Sequence, residues 1–440
     1  VSVEESTTTE GEGSVDRRGP LRPLLWRLHF FAGLLVAPIV LSLAVTGILF
    51  AWNPQIESAL YAHALTAVAE GPARPLSEQV EAAHQRHPAW TVRAVAPPAH
   101  DGATTGVTLT PPDAVSTASA PAPGTVTVYV DPASARVTGR IVETRRPSEW
   151  LRNLHSNWLL GPTAEPITEL AAIWVVVSLL TGLYLWWPRG RARRRALRMP
   201  WRSRGRGRWR QVHTLVGAGT SALLLVMVGT GLTWTNYAGA WVDALKTSLS
   251  AETPSVSREL DGPSGAANAG VDEVLSSARA AGLRAPLEIE PLGEPGRAWT
   301  ASTIDNTWPI ETTTVAVDPG TGRVVDRIGW DDHPLLAKAT ALGIDFHQAQ
   351  LFGTVNQVLL TALALALIVL IVAGYRMWWR RRPVGKLGAP PRAGPLLRTV
   401  PVPLLIGFGL LMVLLPLLGA SFLVYLVVER LTRARWGANP

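Results

Sequence analysis

The sequence predicts a mainly α membrane protein with a duplicated four-helix transmembrane core, a fifth C-terminal span and two small extracytoplasmic α/β domains. Three observations lead there. Hydrophobic residues make up 47% of the 440-residue chain and charged residues only 17%, a balance unusual for a soluble protein of this size. Five apolar windows, 28–50, 166–187, 213–237, 355–379 and 402–428, are each long enough to cross a hydrocarbon layer about 30 Å thick. Finally, spaced residues of the first half return in the second half at fixed offsets.

Residues 1–21, rich in Ser, Thr, Glu and Gly, read as a disordered cytoplasmic tail. The first span, 22–50, follows Arg17 and Arg18 and contains Arg22 and Arg27 at its start. Its apolar run is too long for a cleavable signal and no clear A-x-A cleavage site follows it, so it reads as a retained anchor. Residues 51–147 form the first outward domain. It has an amphipathic helix at 76–86, a proline- and alanine-rich loop at 111–123, and two strands around the Asp-Pro turn of VYVDPASARV, 128–137. An outer-level helix and the second span occupy 148–188. A cytoplasmic loop follows at 189–211, with eleven arginines between Arg189 and Arg210.

The third span is 212–237. The second outward domain, 238–343, has its helix at 271–281 and its turn in TVAVDPGTGRV, 314–324. An outer-level helix and the fourth span take 344–379, and a cytoplasmic loop, 380–399, opens with Arg380, Arg381 and Arg382. The fifth span is 400–429 and the tail 430–440. Arginines near span ends stay on the cytoplasmic side. That rule puts the three clusters on one face and both domains on the other. A fifth crossing would leave Arg430, Arg433 and Arg435 outside, and Pro416 offers a bent or re-entrant segment as the alternative.

The net charge of +8 comes largely from these loop arginines, which face anionic membrane lipid and give no reason to invoke nucleic acid. The chain has no cysteine. Disulfides, iron–sulfur ligation, thiolate metal sites and covalent c-type haem attachment are therefore excluded. No Walker, G-x-S-x-G, H-E-x-x-H or dinucleotide motif is present to seed a hydrolase or nucleotide motor.

At an offset of 184, Leu28, His29, Gly33, Thr46 and Gly47 fall on Val212, His213, Gly217, Thr230 and Gly231. At an offset of 192, His155, Leu159, Gly161, Gly182, Trp186 and Trp187 fall on His347, Leu351, Gly353, Gly374, Trp378 and Trp379. His29 and His213 stand at the inner ends of parallel helices, His155 and His347 at the outer level. In an up-down-up-down bundle each pair faces one interior space. Two opposed imidazoles suit haem, which brings four equatorial nitrogens and leaves two axial positions; a bare zinc ion wants about four protein ligands. Gly33 and Gly217, one turn from their histidines, leave room for a flat macrocycle.

Plainer readings stand beside this one. A histidine near a span end is often an interfacial residue, and the glycines Gly33, Gly47, Gly182, Gly217, Gly231 and Gly374 all suit ordinary helix contacts. A helix break at Gly161 explains that glycine locally. The tryptophan doublets match the membrane interface, with one ring of each pair against the inner cofactor as the alternative. Thr46 and Thr230 serve neighbouring carbonyls. His333, in WDDHP, reads as a surface loop residue. Asp331, Asp332, Asp345, Glu149, Glu165 and Glu169 are either loop charges or hydrogen-bond partners of the outer imidazoles.

The motifs LH-x3-G, LHSNWLLG, TGLYLWWP, VH-x3-G, FHQAQLFG and AGYRMWW, together with the two VDP turns, resemble the PepSY-associated transmembrane family over roughly 22–382. These are iron-regulated proteins of the bacterial inner (cytoplasmic) membrane, some of them ferric-siderophore reductases. The resemblance implies two outward PepSY-like domains and two b-type haems ligated by His29, His213, His155 and His347. It also implies an electron path from a quinol or reduced flavin donor to a ferric siderophore or other ferric chelate. Two other readings compete: a haem-free membrane protein that binds peptides or restrains a protease, and a small-solute transporter using the duplication for alternating access.

Overall fold

The computed structural model describes residues 21–112, 114, 121–187, 205–260, 270–291, 296–385, 387–390 and 400–436, with the main chain alone for 432–436. The N-terminal tail, most of the 111–123 loop and most of the arginine-rich loop after the second span lie outside the described residues.

The first apolar run forms two helices, α1 (Leu21–Leu35) and α2 (Ala37–Ala51), bent by 57°. Pro38 sits in the first turn of α2, where it has no N–H to give the Leu34 carbonyl and its ring crowds that oxygen. The hydroxyl of Tyr375 takes up the freed carbonyl at 2.8 Å. Two short helices, α3 (Asn53–Leu60) and α4 (Ala62–Leu65), carry the chain out of the bundle. There α5 (Leu76–His84) precedes strands β1 (Thr91–Ala96), β2 (Thr105–Thr110), β3 (Val126–Val130) and β4 (Val137–Val142). The chain returns through α6 (Pro147–Asn157) and α7 (Glu165–Trp186).

The order then repeats. The long helix α8 (Arg206–Leu232) leads to α9 (Ala238–Ser248), α10 (Val271–Ala280) and strands β5 (Leu287–Glu290), β6 (Trp299–Thr303), β7 (Thr313–Val317) and β8 (Val324–Gly329). Helices α11 (Leu335–His347) and α12 (Thr354–Arg381) follow. Left-handed residues break α6 from α7 at Trp158, Leu159 and Gly161, and α11 from α12 at Ala349 and Gly353. A side chain added at Gly161 or Gly353 would meet nothing within 4 Å, so these glycines serve the turn.

Among the described residues, the helical stretches Pro147–Trp186, Arg206–Leu232 and Thr354–Arg381 are each long and apolar enough to cross a bilayer, and the bent pair α1–α2 passes together. The protein is a multi-pass membrane protein. In the bundle α7 and α12 each pack between α1–α2 and α8, so α1–α2 stands diagonally across from α8.

The last apolar run, expected as a span at 400–429 with a bend at Pro416 as the alternative, is bent. Helices α13 (Val402–Leu414) and α14 (Pro416–Trp436) meet at a 117° bend, where Pro416 cannot continue the helix. Ser421 accepts a hydrogen bond from Trp174 midway along α7, and further along α14 Tyr425 and Glu429 reach Arg27 in α1. The bent pair therefore lies against the outside of α7 and α1, with most of its large side chains exposed.

Outside the bundle the eight strands form one antiparallel sheet, ordered β4-β3-β2-β1-β5-β6-β7-β8. Two separate small domains were expected; instead β1 and β5 pair at Val95 and Ile289. One face is packed by Leu76 and Ala83 of α5 and by Val271, Val274 and Ala278 of α10, over Val95, Val107, Val128, Ile289 and Val315. Ala64 and Tyr61 cover Tyr129 and Ile141 on one part of the other face, and Val256 covers Ala298 and Ala316 on another. With both faces covered, β3 is buried at every position.

Candidate functional site

The four duplicated histidines fall into two levels of the bundle, and each imidazole is fixed by a neighbouring helix. The Nδ1 of His29 lies 2.9 Å from the Ser178 carbonyl and 3.2 Å from the Thr181 hydroxyl. The Nδ1 of His213 lies 3.0 Å from the Leu370 carbonyl, and that of His347 3.0 Å from the Met227 carbonyl. His155 has its Nδ1 2.8 Å from Oγ1 of Thr46, whose own proton goes to the Ser42 carbonyl. A carbonyl only accepts, so the Nδ1 of His29, His213 and His347 must carry the hydrogen and donate, and that of His155 does so when Thr46 gives its proton to Ser42. Each Nε2 then keeps its lone pair, with no protein hydrogen bond to it among the described residues. Metal-ligating histidines are held in this way.

Opposite each ring is a glycine. A side chain at Gly182 would stand 3.0 Å from Cε1 of His29, and one at Gly231 2.7 Å from Cε1 of His347. At Gly47 and Gly374 the corresponding distances, to His155 and His213, are 3.6 and 3.8 Å. Gly182 and Gly231 thus give the rings of His29 and His347 their room, beyond ordinary helix contact, whereas a side chain at Gly47 or Gly374 would fit at contact distance. Gly33 and Gly217 line the cavity together with Gly182 and Gly374, and a side chain at Gly33 would meet nothing within 4 Å.

At the inner level the rings of His29 and His213 stand 6.0 Å apart, nearly perpendicular. They border a cavity of about 430 Å³ whose wall is mostly apolar, with Val36, Val40, Leu179 and Leu370 among its lining. Trp186 and Trp378 line it too, whereas Trp187 and Trp379 are about 60% exposed. One tryptophan of each doublet thus serves the cavity and the other the surface. At the outer level Trp234 packs 5.9 Å from His347. Among the described residues no group of three or more His, Asp or Glu is arranged to hold a metal ion.

Four of the outer carboxylates, Glu149, Glu165, Glu169 and Asp332, are engaged with partners other than the imidazoles. Glu149 pairs with Arg152 at 2.6 Å. Buried Glu169 accepts the backbone N–H groups of Tyr237 and Ala238 at the start of α9, and Asp332 accepts that of Gly329. Glu165 accepts from Asn236. Asp345 is buried in α11. His333 hydrogen-bonds the Gly329 carbonyl and packs on Trp330, as a loop residue does.

Fold and site together define a membrane-embedded helical bundle with paired, oriented imidazoles beneath a β-sheet cap. Residues 26–381 match the model of the PepSY-associated TM region, and the chain belongs to this family. No curated protein matches it significantly.

Proposed function

We propose that the chain is a di-haem b electron-transfer protein built on a duplicated four-helix core. In this reading it lies in a bacterial inner membrane with its sheet facing outward. It passes electrons from a quinol or reduced flavin donor to an outer acceptor, a ferric siderophore or similar chelate. The carrying observation is the inner pair: two imidazoles 6.0 Å apart, each with Nδ1 held and Nε2 left over, on a mostly apolar cavity. A metal–imidazole bond of about 2 Å on each side, plus about 1.1 Å from nitrogen to ring centre, separates two ligands of one metal by about 6 Å between centres. The residues present therefore fit a flat group that supplies its own equatorial ligands.

Bound haem would supply one-electron chemistry, and the chain's part is ligation and environment. His29 and His213 would hold the inner group, and His155 and His347 the outer one. The carbonyls of Ser178, Leu370 and Met227 and the hydroxyl of Thr46 fix the tautomers, and the mostly apolar wall of the inner cavity lowers the local dielectric. Each electron delivered reduces one Fe(III) to Fe(II), a softer ion that oxygen chelators hold less well, while the donor is oxidised by one electron.

The test is haem content by pyridine haemochrome assay on purified protein. Two haems per chain are expected, with one lost from His29→Ala and His213→Ala and the other from His155→Ala and His347→Ala. Protein purified without haem from haem-replete cells would overturn the proposal and favour a peptide-binding role for the sheet. Reduced, loaded membranes that fail to reduce any ferric chelate would remove the acceptor assignment alone.

A further inference from the structure

We infer that the inner rim of the His29/His213 cavity is a carboxylate-binding site, formed by Arg206, Arg210, Arg381 and the indole N–H of Trp186. The inference rests on the haem reading of that cavity and deepens it. Trp186 lines the cavity, and its Nε1 is buried without a hydrogen-bond partner among the described residues. A buried donor of this kind calls for an acceptor. Arg206 and Arg210, one turn apart on α8, and Arg381 at the end of α12 line the same cavity. Among the described residues none of the three forms a salt bridge with a carboxylate. Arg206 and Arg381 are near enough to repel each other, a repulsion that an anion between them would relieve.

Arg381 is also held in place. Its guanidinium lies over the rings of Trp26 and Phe30, at 5.2 and 5.4 Å, and donates to the Gly388 carbonyl at 2.6 Å. Attraction to lipid headgroups alone would require neither a cavity nor a buried indole donor. The lining is mostly apolar around the two imidazoles and cationic at one rim, which matches a flat apolar ligand with an acidic edge. The two propionates of haem provide such an edge, and guanidinium groups bind carboxylates through charge-assisted hydrogen bonds.

The experiment titrates ferric haem and its dimethyl ester, which lacks the free acids, into full-length chain from haem-deficient cells in phosphatidylcholine nanodiscs. The Soret band is followed, and His29→Ala identifies the inner site. Wild type is expected to bind the free acid at least about tenfold more tightly than the ester. Arg206→Gln combined with Arg381→Gln should remove that preference while leaving ester affinity unchanged. Trp186→Phe, which keeps the ring and loses only the donor, should reduce the preference in part. Equal affinity for acid and ester in wild type, or unchanged preference in the arginine variant, overturns the inference and leaves the histidine reading intact. If neither form binds at the inner site, the histidine reading falls and this inference with it. A preference that vanishes when phosphatidylglycerol replaces phosphatidylcholine assigns the arginines to lipid headgroups and likewise overturns it.

Discussion

Gly231 and Gly182 separate two roles that a glycine in a membrane helix can play. Small residues often let two helices approach, but here the atom nearest the missing side chain belongs to an imidazole ring. At Gly231 a methyl group would stand 2.7 Å from the His347 ring and at Gly182 3.0 Å from the His29 ring, while at Gly47 and Gly374 it would reach ordinary contact at 3.6 and 3.8 Å. The four alanine variants should therefore divide. On the proposed two-haem reading, Gly231→Ala and Gly182→Ala push aside an imidazole that would hold haem and should each lower haem content toward one per chain, whereas Gly47→Ala and Gly374→Ala should retain both haems. The haemochrome assay reads this directly, and equal behaviour of all four would break the link between glycine and ring. The histidines themselves were legible because both copies keep them with matching neighbours. Their glycine partners were not, because spacing along one helix picks out Gly33 and Gly217, while the residue opposite an imidazole sits on another helix. The repeated Thr-Gly pairs at 46–47 and 230–231 were the available signal.

At the scale of elements, proline decides how the apolar runs are used. Pro38 bends the first span and Tyr375 repairs the exposed carbonyl, while Pro416 breaks the last run so sharply that it turns back. The return is fixed at Arg27, which is 7% exposed and bonds Tyr425, the Pro390 carbonyl and Glu429. Hydropathy could report only that 402–428 is long enough to cross. The competing signal was the arginines beyond it, which a crossing would carry to the wrong side. A re-entrant α13–α14 pair predicts that a reporter fused after Trp436 and one fused before Leu21 lie in the same compartment. Paired fusions to a fluorescent protein and to a periplasmically active phosphatase measure this, and opposite compartments would mean that the segment crosses. Arg27→Ala should loosen the pair, with faster amide exchange over 402–431, since it removes the bonds to Tyr425 and the Pro390 carbonyl and the ion pair with Glu429 together.

Across the whole molecule the sheet joins what the sequence presents as two units. The helices at 76–86 and 271–281 and the strands about both VDP turns were legible from periodicity and turn chemistry, yet nothing in either half states that β1 will pair with β5. That pairing hides two strand edges that would otherwise be open, and Val95 and Ile289 at the junction are fully buried. Damage at one outer edge should accordingly reach the other half. Asp131, 3% exposed beside β3, accepts hydrogen bonds from the backbone N–H groups of Val68, Ala69, Ala133 and Ser134. Burial works against its charge, but the bonds from Ala69, Ser134 and Val68 prevail and bring the carboxyl from 3.8 down to about 2. Because the folded value is the lower one, the stabilisation is complete above about pH 4, falls away as pH drops toward about 2, and amounts to about 2 kcal/mol at neutral pH. Asp131→Asn should remove about that much at pH 7 and flatten the acid limb of the stability profile. Amide exchange provides the wider check: in the variant, protection in β6 and β7 should fall together with that in β2 and β3. If β6 and β7 kept full protection while β2 and β3 lost theirs, the two halves would be unfolding separately, and the shared sheet would not bind them into a single cooperative unit.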